Sequence, residues 1–305
     1  MTGIILHEYG SSPFSEKMRI CFGIKGLAWS AVDQPVIMPK PDLVPLTGGY
    51  RRIPVMQIGA DIYCDSALIG RELERRFGGP SLYPAGSSGF ASAVEQWCDK
   101  GLFQAAVIAI FGTLGDQVDP AFVKDREALS GQPFNIPAMK AMVPFALSQI
   151  RAHIALLADH LADGRRFLEG DAPGLADAAA YYNFWFIFNF CPVLVDSLME
   201  NDGVDDWYGR VTEIGHGARA VMTPAEAIAI ARDAEPAPTT VLPADAELAG
   251  RRVRVAATDY GCDPVEGILI GSTRSSVTLR REVDGIGTLA VHFPRLGFRI
   301  ERAGD

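Results

Sequence analysis

The spacing of hydrophobic and polar positions divides the 305-residue chain into regions of different character. In residues 1–84, short apolar runs alternate with stretches in which apolar residues recur every three or four positions, which is typical of mixed strands and helices. In residues 85–234 the helical spacing dominates. Residues 235–247 are rich in Pro and Ala, and residues 248–305 contain short β-branched runs between turn residues. The pattern therefore predicts an α/β domain, an all-helical domain, a linker and a small β domain.

The first region predicts a β-α-β-loop-β-β-α order. The apolar run from Ile4 to His7 fits a buried strand, and Gly26 marks the end of the helix that follows it. Asp65 and Ser66 are suited to cap the last helix of the region. This order is that of a thioredoxin-like domain. Strands are predicted at residues 4–7, 29–36, 55–58 and 62–64, and helices at 15–25 and 66–77.

The second region is predicted to be a helical bundle. The polar segment 115–137 contains several Gly and Pro residues and is predicted to be an irregular break. Pro144 predicts a kink or break near the start of the helix that follows. The longest apolar run, at 184–195, is too short for a membrane span. The helices are predicted at residues 89–112, 138–164, 174–190, 205–222 and 225–233.

The third region predicts a small β-barrel-like domain. It contains five short runs of β-branched and apolar residues, separated by turns that contain Gly, Asp or Pro. Five strands within about 55 residues is a density typical of small barrels. The runs are RRVRVAA, GILIGS, SVTLRRE, TLAVHF and FRIER.

The composition is that of a globular protein, with 48% hydrophobic and 21% charged residues. The net charge is −9 and the acidic excess lies in the helical region, which argues against nucleic acid as the main partner. The chain contains neither a P-loop nor a G-x-G-x-x-G motif after a strand, so no nucleotide cofactor is expected. The N-terminal residues lack the basic stretch and long apolar core of a signal peptide, and a cytoplasmic location is expected.

The cysteines predict neither a metal site nor a disulfide framework. They are odd in number and form no C-x-x-C pair, and the chain has no H-E-x-x-H motif. A reducing compartment fits this scattered pattern. The five are Cys21, Cys64, Cys98, Cys191 and Cys262.

A serine-rich segment, SSPFSEK, lies at residues 11–17 and begins the first predicted helix. Ser12 is a favoured N-cap and Pro13 a favoured first helical residue, so helix capping alone could account for both. The alternative is that a hydroxyl here acts on a ligand that docks against it. A hydroxyl donor and the positive end of a helix both stabilise a thiolate, which makes a thiol compound a suitable ligand.

Two further motifs lie in the same region. The segment RIPV at 52–55 leads into the predicted hairpin, where a proline fits an edge strand or a cis peptide bond. Asp65-Ser66 begins the next helix, and helix N-termini are natural binding sites for carboxylates. Each motif by itself also has a purely structural explanation.

In this order and on this strand pattern, the three motifs resemble the glutathione S-transferase family over residues 3–234. The resemblance implies glutathione as cosubstrate, no metal and a homodimer. It implies that the thiolate of glutathione attacks a small hydrophobic electrophile. The reaction would be conjugation, as in detoxification, or isomerase or lyase chemistry on the same residues.

The resemblance also implies roles for individual residues. Ser12 would stabilise the thiolate, Ser11 and Ser15 are the other candidates for this catalytic role, and Tyr9 competes with them as the hydroxyl near the sulfur. Arg52 would lie near the glycyl carboxylate of glutathione. The residues expected to hold glutathione are Phe14, Arg52, Ile53, Pro54, Asp65 and Ser66. The second-substrate pocket would be lined by Tyr9, Trp97, Phe103 and Phe111, with Phe14 beside them.

Two features depart from the family pattern. The segment 167–180 resembles the family's capping-box segment with Asp177 as its acid, but Gly174 stands where Ser or Thr usually caps the helix. The chain also continues into the β domain at 248–305. These departures support an alternative, a non-catalytic protein of the same fold that uses its helical and β domains for interactions. The β domain would pack on the body, extend a dimer interface or cover the pocket entrance.

Overall fold

The computed structural model describes residues 3–86, 88–198 and 202–304. β1 pairs parallel with β2 and antiparallel with β3, and β3 pairs antiparallel with β4. The thioredoxin-like prediction is confirmed, with a short extra helix in the predicted loop. The elements are β1 (Ile4–Glu8), α1 (Pro13–Ile24), β2 (Ala28–Asp33), α2 (Val44–Thr47), β3 (Val55–Ile58), β4 (Asp61–Cys64) and α3 (Ser66–Arg76).

α1 begins where the sequence places a capping residue. Ser12 Oγ accepts a hydrogen bond from the Ser15 backbone N–H at 3.2 Å, and Pro13 occupies the first helical position. The helix ends before Gly26, whose φ of 62° lies in the left-handed region that glycine adopts without strain. The predicted capping role of Ser12 is therefore real, and a role toward a ligand would come in addition to it.

The second region consists mainly of helices. A π-helical turn (Cys98–Leu102) joins α4 and α5 into one long helix, and α7 continues through Pro144. The helices are α4 (Ser88–Trp97), α5 (Phe103–Leu114), α6 (Pro120–Ser130), α7 (Ile136–Leu161), α8 (Leu175–Phe190), α9 (Val195–Leu198) and α10 (Asp202–Ile214).

Helix α6 lies in the segment that was predicted to be irregular. Asp119 caps this helix by accepting a hydrogen bond from the Ala121 N–H at 2.7 Å, and Pro120 starts it. Gly131 ends it with a φ of 68°. The prediction for 115–137 was wrong because Gly and Pro here mark the ends of a helix rather than its absence.

The residues 205–222 form two elements instead of the single predicted helix. α10 ends at Ile214, and strand β5 (Ala218–Val221) pairs parallel with β2. Between them, Gly215 and Gly217 have φ values of 67° and 68°, so the helix stops and the chain turns. Helix α11 (Pro224–Arg232) follows and packs beside β2. The end of the region predicted to be all-helical therefore adds an edge strand to the N-terminal sheet.

The departure at Gly174 has a steric reason. A Cβ at this position would lie 2.7 Å from Pro84 Cδ, so Ser or Thr does not fit. Asp177 supplies the other half of the cap, because its carboxylate accepts hydrogen bonds from the Gly174 N–H at 2.9 Å and the Leu168 N–H at 2.8 Å. The Trp207 indole N–H donates to the same carboxylate at 2.8 Å. The Asp177 segment is thus structural.

The predicted β extension is confirmed. Its strands pair antiparallel in the order β10-β6-β7-β8-β9. The linker is attached along this sheet, since Thr239 Oγ1 donates to the Ile270 carbonyl at 2.7 Å. The strands are β6 (Arg252–Ala257), β7 (Val265–Ser272), β8 (Ser276–Val283), β9 (Gly287–Pro294) and β10 (Phe298–Arg302).

The sheet of the extension continues into the N-terminal sheet. β9 pairs parallel with β4, which places Ile62 opposite Val291 and Tyr63 opposite His292. The His292 ring contacts Asp61 Oδ1 through Nε2 at 2.7 Å and stacks on Tyr63, with centroids 4.3 Å apart. One ten-stranded sheet results, in the order β10-β6-β7-β8-β9-β4-β3-β1-β2-β5. The sequence predicted these strands but not this junction.

The β4–β9 junction is expected to be essential for stability. Val291 is fully buried there, so Val291→Asp should lower the free energy of unfolding by about 4 kcal/mol or more, because it buries a carboxylate without a partner. Urea denaturation followed by circular dichroism measures the loss. Leu296→Asp is the matched control, since Leu296 is 69% exposed and should tolerate the same change. Equal stability of the two variants would contradict a packed junction.

One helix among the described residues, α7, is long and apolar enough to span a membrane by length and composition alone, with a mean hydropathy of 1.4. The core helix of a soluble protein meets the same criterion, so this is weak evidence for a span. In the fold, α7 packs along α5.

Candidate functional site

Strand pairing brings the three sequence motifs to one edge of the sheet. His7, near the end of β1, lies opposite Val55 at the start of β3, and Val55 lies opposite Cys64 at the end of β4. The serine segment follows β1, the proline segment precedes β3, and Asp65 follows β4. The motifs therefore lie side by side in space, although they are far apart in the chain.

The hydroxyl groups at the start of α1 differ in their contacts. Ser12 is buried, and the Tyr9 hydroxyl lies near both Ser12 and Arg126 of α6, which act to lower its pKa. Burial raises the pKa of Tyr9, so this phenol stays protonated near neutral pH. Ser15 is fully buried, and its Oγ has no hydrogen-bond partner within the described residues, while Ser11 is half-buried. Ser12 and Tyr9 thus form a pair of hydroxyls beside a guanidinium group.

Arg52 lies beside the proline segment and is engaged by the C-terminal extension. The Ile53-Pro54 peptide bond is cis. The Arg52 guanidinium contacts Asp259 at 2.5 Å and lies 3.9 Å from the centre of the Tyr260 ring. Arg52 Nε is buried, and no hydrogen-bond partner for it exists in the described part of the chain. Arg52 therefore has a free donor for a further acceptor.

Asp65 caps α3 from a strained backbone conformation. Its φ is 79°, and in a non-glycine residue such a conformation costs about 1–3 kcal/mol and persists only where the surroundings impose it. Oδ1 accepts a hydrogen bond from the Ala67 N–H at 2.9 Å, and burial raises the pKa of Asp65. Asp65 is half-buried, and the buried Ser66 begins the helix. This half-buried carboxyl would be stabilised by a cation that docks against it.

An acidic cluster lies in the interior between α1 and α4. Lys17 Nζ contacts Glu95 at 3.0 Å and Asp99 at 2.6 Å, and the Tyr182 hydroxyl donates to Asp99 at 2.9 Å. One lysine between two carboxyls leaves an excess negative charge. Burial raises the pKa of Asp99 to about 7 despite the contact with Lys17. Lys17 also acts electrostatically on Asp65, so the cluster and the α3 N-terminus form one acidic end of the site.

Basic side chains gather around Asp125 of α6. Arg51 pairs with Asp125 at 2.6 Å, and Arg126 donates to the Val36 carbonyl at 2.8 Å. Burial and the neighbouring Arg126 guanidinium lower the pKa of Lys40 to about 8. Sequence reasoning missed Asp125 and Arg126 because α6 itself was not predicted. The Asp119-Pro120 start signal could have revealed the helix, but not which side chains it brings to the site.

Aromatic rings line the space beside Ser12. Phe14 contacts Phe103 and Tyr182, with centroids 4.8 and 5.1 Å apart. The Phe186 ring connects Phe111 to this group, because its centroid lies 6.1 Å from that of Phe103 and 6.4 Å from that of Phe111. Of the predicted pocket residues, Phe14, Phe103 and Phe111 thus belong to one connected group of rings, while the Tyr9 ring lies 5.5 Å from Lys40 Nζ. Trp97 instead contacts His153 at 5.2 Å and lines a groove of about 230 Å³ with Phe90, Val94, Leu156, Leu157, His160 and Leu168.

The charge layout limits the chemistry that the site can support. Negative and positive groups lie within electrostatic range of one another here, since Arg52 acts on Asp65 and Arg126 lies beside the Tyr9 hydroxyl. Such a site suits a dipolar peptide-like ligand and an apolar second molecule. Among the described residues there is no group of three His, Cys, Asp or Glu side chains that could hold a metal ion.

Comparison with known proteins gives matches along the whole chain. Residues 6–81 match the family described as glutathione S-transferase, N-terminal domain, and residues 107–215 match a domain of unknown function, DUF7962. No curated protein matches the chain at a significant level. A GST-like protein from Pseudomonas syringae is 38% identical, with a TM-score of 0.81 over 99% of this chain and 100% of that one.

Two more distant structures share the fold of the first two regions. A glutathione S-transferase of Ceriporiopsis subvermispora, solved in complex with glutathione, is 17% identical with a TM-score of 0.57, over 70% of this chain and 97% of that one. A glutathione S-transferase domain-containing protein of Marinobacter aquaeolei is 21% identical with a TM-score of 0.53, over 68% and 97%. With a relative 38% identical over its full length and a matching N-terminal domain, the protein belongs to the glutathione S-transferase family.

Proposed function

We propose that the protein is a glutathione transferase in which the thiolate of glutathione attacks a small hydrophobic electrophile. The observation that carries this proposal is the meeting of Ser12, Arg52 and Asp65 at one edge of the sheet. Glutathione has an ammonium and a carboxylate at its γ-glutamyl end and a second carboxylate at its glycyl end. The acidic α3 end and the free donor of Arg52 are complementary to this arrangement.

The residues at the edge divide the binding of glutathione between them. Asp65 would pair with the γ-glutamyl ammonium, and Ser66 with the α3 N–H groups would bind its carboxylate. Arg52 would bind the glycyl carboxylate. The backbone of Ile53, next to Pro54, would pair with the cysteinyl part, and Phe14 would lie beside it.

Ser12 is proposed to stabilise the thiolate. A free thiol has a pKa of about 8.5 and is mostly protonated at neutral pH, so a hydroxyl donor at a helix N-terminus increases the reactive fraction. Each unit of pKa lowering corresponds to about 1.4 kcal/mol. Tyr9 and Arg126 would assist, because their contacts hold the Ser12 hydroxyl and add positive charge nearby. Ser11 and Ser15 stay alternatives for the hydroxyl.

The electrophile is proposed to bind on the aromatic surface of Tyr9, Phe14, Phe103 and Phe111. Apolar rings with few polar groups favour a small hydrophobic molecule, and binding would contribute mainly by positioning it near the sulfur. The same arrangement is compatible with isomerase or lyase chemistry.

The proposal includes a homodimer in the cytoplasm. Large apolar side chains are exposed on α4 and α7, among them Phe90, Phe145 and Leu156. Exposed apolar surface of this kind is typical of protein contacts. A second copy of the chain is the partner that the family favours.

Ser12→Ala is expected to lower the rate of conjugation about 10- to 100-fold with little change in the KM for glutathione. The reason is that the thiolate loses its donor while the peptide contacts stay. The pH profile of kcat, measured with 1-chloro-2,4-dinitrobenzene as probe electrophile, should shift to higher pH.

Thr223→Ala is the control for the loss of a helix cap, because the Thr223 side chain caps α11 by accepting from the Glu226 N–H at 3.3 Å. It should leave turnover unchanged. An unchanged profile for Ser12→Ala would move the role to Ser11, Ser15 or Tyr9. A wild type that binds no glutathione would support the alternative, a non-catalytic interaction protein.

A further inference from the structure

The β6–β7 loop, residues 258–264, reaches from the C-terminal sheet across the candidate site. The Gly261 N–H donates to the Leu129 carbonyl, near the end of α6, at 2.7 Å. A Cβ at Gly261 would lie 2.8 Å from Leu129 Cδ1 and 3.2 Å from Arg52 Nε. The loop therefore lies tightly over Arg52 and closes the space between the N-terminal sheet and α6.

Arg52 is held by this loop through a replaceable contact. Only one guanidinium nitrogen, Nη2, contacts Asp259 Oδ1, and the Asp259 side chain is 50% exposed. The Arg52 side chain is 9% exposed, so solvent reaches this ion pair from the Asp259 side alone. A carboxylate that engaged two guanidinium nitrogens would also satisfy Nε, which is buried without a partner in the described structure. Arg52 is thus better suited to a second carboxylate than to Asp259.

Tyr260 extends the loop toward the acidic end. Its ring covers the Arg52 guanidinium, and its hydroxyl lies within electrostatic range of Asp65 and Asp99. A single residue of the extension is therefore in electrostatic range of Arg52, Asp65 and Asp99.

We propose that Asp259 is an internal competitor for Arg52, and that the β6–β7 loop opens when a ligand carboxylate takes its place. The inference rests on the proposed function, because the ligand is glutathione and the competing group its glycyl carboxylate. The extension then sets the affinity of the site and admits only peptide thiols with a free carboxylate at the glycyl end.

Calorimetric titration of Asp259→Asn tests the exchange. The variant should bind glutathione about two- to five-fold more tightly than the wild type, because the competing charge is absent. Glutathione monoethyl ester, which lacks the glycyl carboxylate charge, should bind equally to both proteins. Asp263→Asn is the control, since it removes an exposed carboxylate from the same loop and should match the wild type.

Cys262 provides a direct readout of loop movement. It is exposed, whereas Cys21, Cys64, Cys98 and Cys191 are buried, so a maleimide fluorophore will label the loop selectively. S-methylglutathione should change its fluorescence in a saturable way, and the ester should not.

The outcomes separate the two proposals. Equal glutathione affinities of wild type and Asp259→Asn, or tighter binding of both glutathione and its ester by the variant, would overturn the carboxylate exchange and leave the proposed function intact. Binding without a fluorescence change would overturn the opening of the loop. If neither protein binds glutathione, the proposed function itself is wrong.

Discussion

Asp65→Asn is expected to abolish detectable glutathione binding with little change in stability. Asparagine caps helices as well as aspartate and tolerates a positive φ, so α3 should keep its start. The charge is lost, however, and removing one partner of a buried charge pair costs about 2–5 kcal/mol, or about 30-fold or more in affinity. Calorimetric titration with glutathione and thermal denaturation measure the two effects separately.

Asp119→Asn is the matched control, because Asp119 caps α6 through the same contact with the N–H two residues later. It should change neither affinity nor stability appreciably. Asp65→Asn with wild-type affinity would contradict the assignment of the ammonium to Asp65.

The same carboxyl makes the affinity depend on pH. Burial raises the pKa of Asp65, so protonation on acidification begins at a higher pH than for an exposed aspartate. Only the ionised form attracts the ammonium, and the affinity for S-methylglutathione should therefore fall as the pH falls toward that pKa. Calorimetric titration of the wild type over this pH range measures the dependence, and Asp119→Asn should retain it.

Lys17→Met is expected to lower the free energy of unfolding by about 3–5 kcal/mol. Lys17 is fully buried between α1 and α4, and its removal leaves Glu95 and Asp99 unpaired in the interior. Urea denaturation at pH 8 measures the loss, since Asp99, with its pKa of about 7, is then mostly ionised.

A triple variant with Glu95→Gln and Asp99→Asn should recover much of that loss, because no uncompensated charge is left. Lys25→Met, at the C-cap of the same helix, is the comparison. Its partner Glu74 has a 27% exposed side chain, so the loss should be smaller. Similar losses for both lysines would contradict a special role of the buried cluster.

Local sequence patterns were sufficient to predict most of the helices and strands. The alternation of apolar and polar residues predicted all five strands of the extension, and helical spacing together with capping residues predicted α1, α3 and α8. β5 escaped prediction because two of the four residues of ARAV are alanine, which is depleted in strands, and its strand conformation depends on pairing with β2. No local sequence pattern predicts the β4–β9 junction, because β9 pairs with the edge strand of a sheet formed by a distant part of the chain.

The residues of the candidate site likewise include some that a local sequence signal identifies and others whose contacts depend on the folded structure. Ser12 and Asp65 are capping residues, so a local signal identifies them, and the structure places both at helix starts. The contact of Arg52 with Asp259 joins residues 207 positions apart and could not be predicted from either segment. Trp97 was predicted to line the pocket from its helix alone, but the side of the helix that it occupies depends on the packing of His153.

The pairing of β4 with β9 also determines when, during synthesis on the ribosome, the sheet can be completed. Asp61 and His292 are 231 residues apart in the chain. At a synthesis rate of about 5–20 residues per second, the two residues are therefore synthesised roughly 10–50 s apart. During that time the nascent N-terminal domain has an unpaired edge at β4. The domain that is synthesised first is therefore completed only after the extension has been synthesised.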